Sequence, residues 1–187
     1  MEGSQLVNER AQLHALLLER SVRFGDFILA SGKRSSWYID ARLTTMSGRG
    51  QVLIGRVGLA MLDDAGWKPS SLGGLTLGAD PIAYAIAHAA TLAGRELDAF
   101  TVRKEAKGHG AGRLIEGGFA EGMNVVVVED VITTGESALR ALNAVRAAGA
   151  TVLGVLAVVD REEGGRERVE LEGVRVTSMF RASELRA

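Results

Sequence analysis

Cysteine is absent from the 187 residues of the chain, which excludes disulfides, thiolate metal sites and a cysteine nucleophile. Proline is limited to Pro69 and Pro81, and lysine to Lys33, Lys68, Lys104 and Lys107 against 18 arginines. No charge of one sign dominates. The 22 basic and 23 acidic residues leave a formal net charge of -1, so a broadly basic nucleic-acid surface is not expected. The longest apolar runs, such as residues 152–159, fall far short of the ~18 residues that a bilayer-spanning helix needs. No charged-then-apolar leader precedes a small-residue cleavage site. The expectation is a cytoplasmic protein with neither a nucleic-acid nor a membrane partner.

What the chain has in plenty is apolar side chains, 47% of its residues, and glycine, 24 residues or about 13% against an average of ~7%. The length suits one domain with a sizeable core. Leucines at 6, 13, 16 and 17 among charges predict an opening amphipathic helix over 5–20. Residues 24–30 and 37–41 read as a strand pair around the turn Ser31-Gly32-Lys33-Arg34. A helix over 49–65 stops at Gly66. Strands follow at 72–77, 98–102, 125–128, 151–159 and 174–179, with helices at 82–92 and 137–148 between them. Alternation of apolar strands with helices implies an α/β fold whose mainly parallel sheet is covered on both faces. In such sheets ligands bind beyond the carboxyl ends of the strands.

Residues 125–137 read VVVVEDVITTGES. Four valines form a buried strand, and Glu129 and Asp130 stand where that strand is expected to end. After Val131 and Ile132 comes the small, hydroxyl-rich turn Thr133-Thr134-Gly135-Glu136-Ser137, which opens a helix. Backbone N–H groups and hydroxyls gathered in front of a helix N-terminus bind phosphate without a lysine. Adjacent carboxylates can accept hydrogen bonds from the vicinal hydroxyls of a ribose. The string therefore fits a ribose 5-phosphate site, while a solvated strand end and a plain helix cap account for its parts taken singly.

Residues 103–113, RKEAKGHGAGR, gather Arg103, Lys104, Lys107 and Arg113 with Glu105, His109 and three glycines. Composition predicts a mobile cationic loop. A charge run alone is most simply a solvated surface. Two of the chain's four lysines in one short loop suit instead a pyrophosphate leaving group, whose developing charge must be stabilised and shielded from water.

The string 125–137 closely resembles the phosphoribosyl-pyrophosphate signature of the type I phosphoribosyltransferases: an apolar strand, two acids, two apolar residues and a T-T/A-G loop. RKEAKGHG resembles the R-K-x-x-K-x-H-G loop of the orotate phosphoribosyltransferases among them. Ser31-Gly32, Ser35 and Tyr38-Ile39-Asp40-x-Arg42 resemble that family's S-G-x-x-S-x-Y-Y-x-D-x-R stretch, and LAVVDREEG (156–164) its L-x-x-x-D-R-x-x-G. The motifs run in order over nearly the whole chain.

The resemblance implies a type I phosphoribosyltransferase fold in one domain spanning 1–187. A small hood would come mainly from about 1–45 plus C-terminal residues, and the core from about 46–180. It implies that Arg103, Lys104, Lys107 and His109 contact the pyrophosphate of phosphoribosyl pyrophosphate, that Glu129 and Asp130 hold the ribose hydroxyls, and that Thr133 through Ser137 (Thr133, Thr134, Gly135, Glu136, Ser137) hold the 5-phosphate, with Val131 and Ile132 also among the residues binding that substrate. Lys107, His109 and Asp130 would be the catalytic set. Arg161 would pair bidentately with the carboxylate of orotate, with Thr133 and Lys33 as further orotate ligands. Mg²⁺ would be carried by the substrate, with no direct protein ligand cage. The partner the resemblance implies is a second copy: loop 103–113 would reach the neighbouring site of a homodimer. The implied reaction is orotate plus phosphoribosyl pyrophosphate giving orotidine 5′-phosphate and pyrophosphate in UMP biosynthesis.

Two places depart from the family pattern. Ala30 stands where many members have a lysine before S-G, with Lys33 nearby. The loop after the strand at 72–77 is Gly78-Ala79-Asp80-Pro81, without the lysine many members carry there, which leaves Asp80 to act through backbone and water contacts. A purine-type phosphoribosyltransferase and a phosphoribosyl-pyrophosphate-binding regulator are the alternative readings. The basic loop and the Asp160-Arg161 pair argue against the first, and the short N-terminal segment and the charge balance against the second. His14 reads as exposed on its helix, and His88 as packed or on the surface. Trp67 reads as a helix-terminal anchor, and Arg166, Glu167 and Arg168 as a solvated turn.

Overall fold

The computed structural model describes residues 2–28, 32, 34–105 and 114–186. Helix α1 (Glu2–Arg20) leads into a hairpin of β1 (Val22–Ile28) and β2 (Arg34–Ile39), then the single turn α2 (Arg42–Thr45) and α3 (Gly48–Asp64). Next come β3 (Ser71–Leu75), α4 (Asp80–Leu92), β4 (Asp98–Val102), β5 (Ile115–Gly117), β6 (Asn124–Ile132) and α5 (Glu136–Ala147). The chain continues through β7 (Thr151–Asp160), α6 (Gly165–Glu170), β8 (Val176–Arg181) and α7 (Ala182–Leu185). Six strands form one sheet in the order β5-β4-β3-β6-β7-β8. All neighbours are parallel except β4 and β5. The α/β architecture expected from the strand–helix alternation is the one found.

The pleat of β6 divides the core. Val126 and Val128 pack in one apolar cluster with Leu13, Leu17, Ile54 and Ile86 of α1, α3 and α4, whereas Val125 and Val127 pack in the other with Ala138, Leu142 and Val145 of α5. A period of two along a strand produces this division, and because both faces are covered every valine is apolar. The leucines of α1 point inward as expected, with Leu13 and Leu17 fully buried.

The element boundaries depart from the sequence expectation in ways that matter for the site. Strand β6 does not stop at Val128: it stays paired with β7 as far as Ile132↔Asp160. Glu129 and Asp130 are therefore part of a strand held by the ladder. Their charge mimicked a strand end. Helix α4 begins at Asp80, with Pro81 in its first turn, where a missing N–H costs nothing. The hairpin strands begin two to three residues earlier than expected, with Val22 paired to Ile39 and Ile28 to Arg34. Strand β5 and the short helices α2, α6 and α7 carry too little periodicity to be seen in the sequence.

His14 is not on an open helix face. Its Nε2 lies 2.9 Å from the Glu184 carbonyl oxygen and its ring 5.5 Å from that of Phe180. His88 is exposed, and Trp67 is buried against Gly154, where a Cβ would come within 2.1 Å of the indole. Arg166, Glu167 and Arg168 belong to α6, not to a solvated turn: Arg166 pairs with Glu170 (3.2 Å), and Arg168 Nη1 donates to the Thr134 carbonyl (3.2 Å). Among the described residues no helix is long and apolar enough to cross a membrane.

Candidate active site

Beyond the carboxyl ends of β3, β6 and β7 lies a cleft of ≈ 1010 Å³. One wall comes from the hairpin and the following corner, residues 34–42, and another from Leu75, Thr76, Leu77 and Gly78 after β3. Glu129, Asp130, Val131, Thr133, Thr134 and Ser137 form its floor, and Arg161, Glu163 and Arg186 one end. This is where an open parallel sheet is expected to bind a ligand.

The phosphate-type turn is built as its composition suggested. Gly135 is the residue before α5 and has φ 76, in the left-handed region that favours glycine. A small cavity of ≈ 100 Å³ is lined by Glu129 and residues 131–138. Sequence reading missed what supports this turn from behind. Gly165, at the start of α6, lies so close that a Cβ there would come within 2.4 Å of the Thr133 carbonyl oxygen and 2.7 Å of the Gly135 nitrogen. The Gly164-Gly165 pair in DREEGG was the available signal. Ile132 turns its side chain into the core, fully buried, so only its backbone faces the turn. Glu136 is an exposed carboxylate in the first turn of α5, and its backbone N–H is the group that suits an anion.

The two acids differ sharply. Glu129 is 6% exposed, and its Oε2 is buried without a hydrogen-bond partner. Burial above all, and then the adjacent Asp130 charge, push its carboxyl well above the ordinary carboxylate range. Asp130 is half-buried, and one of its oxygens accepts from the Val131 N–H at 2.8 Å. Against it packs Gly78, where a Cβ would sit 2.7–2.8 Å from the Asp130 carboxylate. The lysine-less loop thus brings bare backbone onto an acid, and its Thr76–Leu77 peptide is cis. Asp80 holds that loop from below: its carboxylate accepts from Thr76 Oγ1 (2.7 Å) and Thr101 Oγ1 (2.9 Å).

Arg161 is buried, 7% exposed, directly after β7. Its Nε and Nη2 donate to Glu163 Oε1 at 3.1 and 2.7 Å, and its guanidinium lies 4.4 Å from the centroid of Trp37 on β2. Both neighbours went unremarked in the sequence, although Trp37 lies in the motif of the hairpin and Glu163 in DREEGG. At the corner after the hairpin Asp40 accepts from Arg42 Nε (2.8 Å) and Nη2 (3.0 Å), and these hydrogen bonds hold the Asp40 carboxyl below its ordinary value.

The two basic residues that open the cationic loop meet at a second cavity of ≈ 810 Å³, lined also by Asp80, Tyr84 and Glu116. Lys104 is exposed and reaches the cleft as well, whereas Arg103 pairs with Glu116 at 3.1 Å. Lys33, Lys107, His109 and Arg113 lie outside the described residues. Of the residues singled out in the sequence, the structure therefore brings Glu129, Asp130, Val131, Thr133, Thr134, Ser137, Lys104 and Arg161 to one cleft, and Arg103 to its neighbour.

Among the described residues no three of His, Asp and Glu are grouped to hold a metal ion. The carboxylates among the residues lining the cleft, the half-buried Asp130 and the buried Glu129, are oxygen donors of the hard type that suits Mg²⁺.

Comparison with known proteins agrees with this geometry. The model of the phosphoribosyl transferase domain family matches residues 60–178. The orotate phosphoribosyltransferase of Aquifex aeolicus (strain VF5) is 48% identical over 183 residues, covering 96% of this chain and 99% of the relative. The crystal structure of Mycobacterium tuberculosis H37Rv orotate phosphoribosyltransferase in complex with Fe(III) dicitrate superposes with a TM-score of 0.85 at 47% identity, over 95% of this chain and 98% of the other. The same enzyme in complex with 5-phospho-α-D-ribosyl 1-diphosphate gives 0.78 at 42% identity, over 95% and 92%. A cleft floored by paired acids and a glycine-backed turn, in a chain so close to these enzymes throughout its length, leads to one conclusion: the chain belongs to the phosphoribosyl transferase family and, within it, to the orotate phosphoribosyltransferases.

Proposed function

We propose that the chain transfers the ribose 5-phosphate of 5-phosphoribosyl 1-pyrophosphate to orotate, giving orotidine 5′-phosphate and pyrophosphate, as a cytoplasmic Mg²⁺-dependent enzyme of pyrimidine biosynthesis. The observation that carries this reading is the gathering, in one cleft, of a phosphate-type turn, two unlike acids and a buried arginine. A nucleoside monophosphate has the same three parts: phosphate, vicinal hydroxyls and base.

In this reading the N–H groups and hydroxyls of 133–137 hold the 5-phosphate, helped by the α5 dipole. Glu129 and Asp130 accept from the ribose hydroxyls. The buried Glu129 Oε2 has no partner in the protein, and a hydroxyl donated by the sugar would supply one. Arg161 receives the orotate carboxylate, with Thr133 and Lys33 beside it. Cleaving the C1–O bond builds negative charge on pyrophosphate, which Lys104, Lys107 and His109 stabilise. Bound Mg²⁺ would supply further charge neutralisation of the pyrophosphate, and Asp130 and Glu129 are the residues placed to meet it. Asp130, under the ribose, tolerates the positive charge that develops there. Lys104 lines both the cleft and the second cavity, and Arg103 the second cavity alone. In this reading the protein is a homodimer whose loop 103–113 reaches the neighbour's site. The hairpin with the C-terminal residues forms the hood of a single-domain protein.

The test is a direct assay with Mg²⁺, phosphoribosyl pyrophosphate and orotate, followed by loss of orotate absorbance, with guanine, hypoxanthine, adenine and uracil in parallel. Consumption of orotate alone is the expected result. Turnover of a purine, or phosphoribosyl-pyrophosphate binding without turnover of any base, would overturn the reading in favour of a purine enzyme or a regulator.

A further inference from the structure

The base end of the cleft holds a second guanidinium. Arg186, just after α7, lines the cleft and lies 5.4 Å from the centroid of Trp37, the ring that Arg161 approaches at 4.4 Å. Two cations on one buried indole repel each other unless something anionic joins them. Glu163 answers Arg161 at 2.7 Å. The nearest acid to Arg186, Glu162, is 3.9 Å from its Nη2, and its Nε donates only a long 3.4 Å bond to the Ala182 carbonyl. Arg161 has already committed its Nε/Nη2 edge to Glu163. Among the described residues Arg186 is thus the guanidinium at this end with the longer and more exposed ion pair.

Arg186 is held there by a specific arrangement. Glu162 has φ 57, a left-handed backbone that non-glycine residues rarely adopt. Its carboxylate accepts from the Ser183 N–H (2.8 Å) and the Ser183 hydroxyl (3.1 Å). The turn that carries Arg161 is thereby fastened to the helix that carries Arg186. From the other side Glu184 receives Arg10 Nη2 at 2.6 Å, and its carbonyl meets His14. Ala182 and Leu185 are fully buried, so α7 itself is anchored.

We propose that Arg186 is a specificity-determining residue for the anionic base: a second cation that, with Arg161, favours a ring carrying a carboxylate over the same ring without one. This rests on the reading of the cleft as an orotate site. The experiment varies orotate at saturating phosphoribosyl pyrophosphate for the wild type, Arg186→Gln and Arg186→Lys, with uracil as the carboxylate-free comparison. The wild-type arm tests the underlying reading, since absence of orotate turnover there overturns that reading. Given wild-type turnover, Arg186→Gln raises the KM for orotate about tenfold, with kcat within twofold and the KM for phosphoribosyl pyrophosphate unchanged. Its orotate KM also loses ionic-strength dependence. Arg186→Lys, which keeps the charge, recovers part of the loss, and competitive inhibition of orotate turnover by uracil does not change. A wild-type orotate KM in Arg186→Gln overturns the inference. So does an equal rise in the KM values for orotate and for phosphoribosyl pyrophosphate accompanied by a lower melting temperature, which is what a merely structural arginine would give.

Discussion

Glu129→Gln should make the free protein more stable while making it a worse enzyme. The wild-type carboxyl is 6% exposed, carries an unpartnered Oε2 and lies beside Asp130. Burial raises its pKa well above the ordinary value of 4.5. Between 4.5 and the raised value the folded chain holds a proton that the unfolded chain has released. Folded stability therefore falls as pH rises through that window, and the loss stays constant above it. An amide of the same shape removes the charge and can donate to the Asp130 carboxylate. Leaving a buried polar group unsatisfied costs on the order of 1–3 kcal/mol. A gain of about 1–2 kcal/mol at pH 8 is expected, corresponding to a melting temperature about 3–6 °C higher for a chain of this size. The assay is thermal unfolding of both proteins from pH 5 to 8.5, with and without phosphoribosyl pyrophosphate. The gap should widen with pH, and the ligand-induced rise should shrink in the variant. A variant less stable than wild type at pH 8, or a gap that narrows with rising pH, would refute the reasoning about the buried charge. An undiminished ligand shift would remove Glu129 from the ribose.

Gly165→Ala drives a methyl group to within 2.4 Å of the Thr133 carbonyl oxygen. It is expected to destabilise the protein by about 1–3 kcal/mol and to raise the KM for phosphoribosyl pyrophosphate at least tenfold, with the KM for orotate little changed; steady-state kinetics and melting curves check both. Lys107→Ala should lower kcat by about 100-fold or more with the KM values within a few-fold, and a kcat close to wild type would take Lys107 out of the leaving-group chemistry.

The candidate site was more legible than the boundaries around it, for a physical reason. Thr133-Thr134-Gly135 announces itself because few other needs bring hydroxyls and a positive-φ glycine between an apolar strand and a helix. Glu129 and Asp130 were visible as a pair, but not as opposites. Which of two adjacent acids the pleat buries depends on the packing of α5, and no local pattern carries that. Trp37 and Arg186 were illegible as site residues because their meeting spans 149 positions and depends on where β8 delivers α7. Gly78 and Gly165 stand among 24 glycines, and only the backbones opposite them distinguish these two from the rest. The alternation of strands and helices was readable because both sheet faces are covered and the valines of β6 need no polar partner.

The two turns that grip opposite ends of the proposed ligand leave adjacent strands at the same level: Ile132 faces Asp160 across the ladder, and the Arg161 N–H closes the pair on the Ile132 carbonyl at 2.9 Å. Parallel neighbours run ≈ 4.7–4.9 Å apart, so the sheet itself acts as a gauge for the span from phosphate to base. A lineage could rewrite the residues after β7, together with the hairpin, and so trade one base for another without disturbing the proposed sugar-phosphate clasp after β6. Slipping either strand by a single residue would instead invert its faces and spoil both grips at once. Substrate choice is thus the adjustable part of this fold, and the length of the substrate the inherited part.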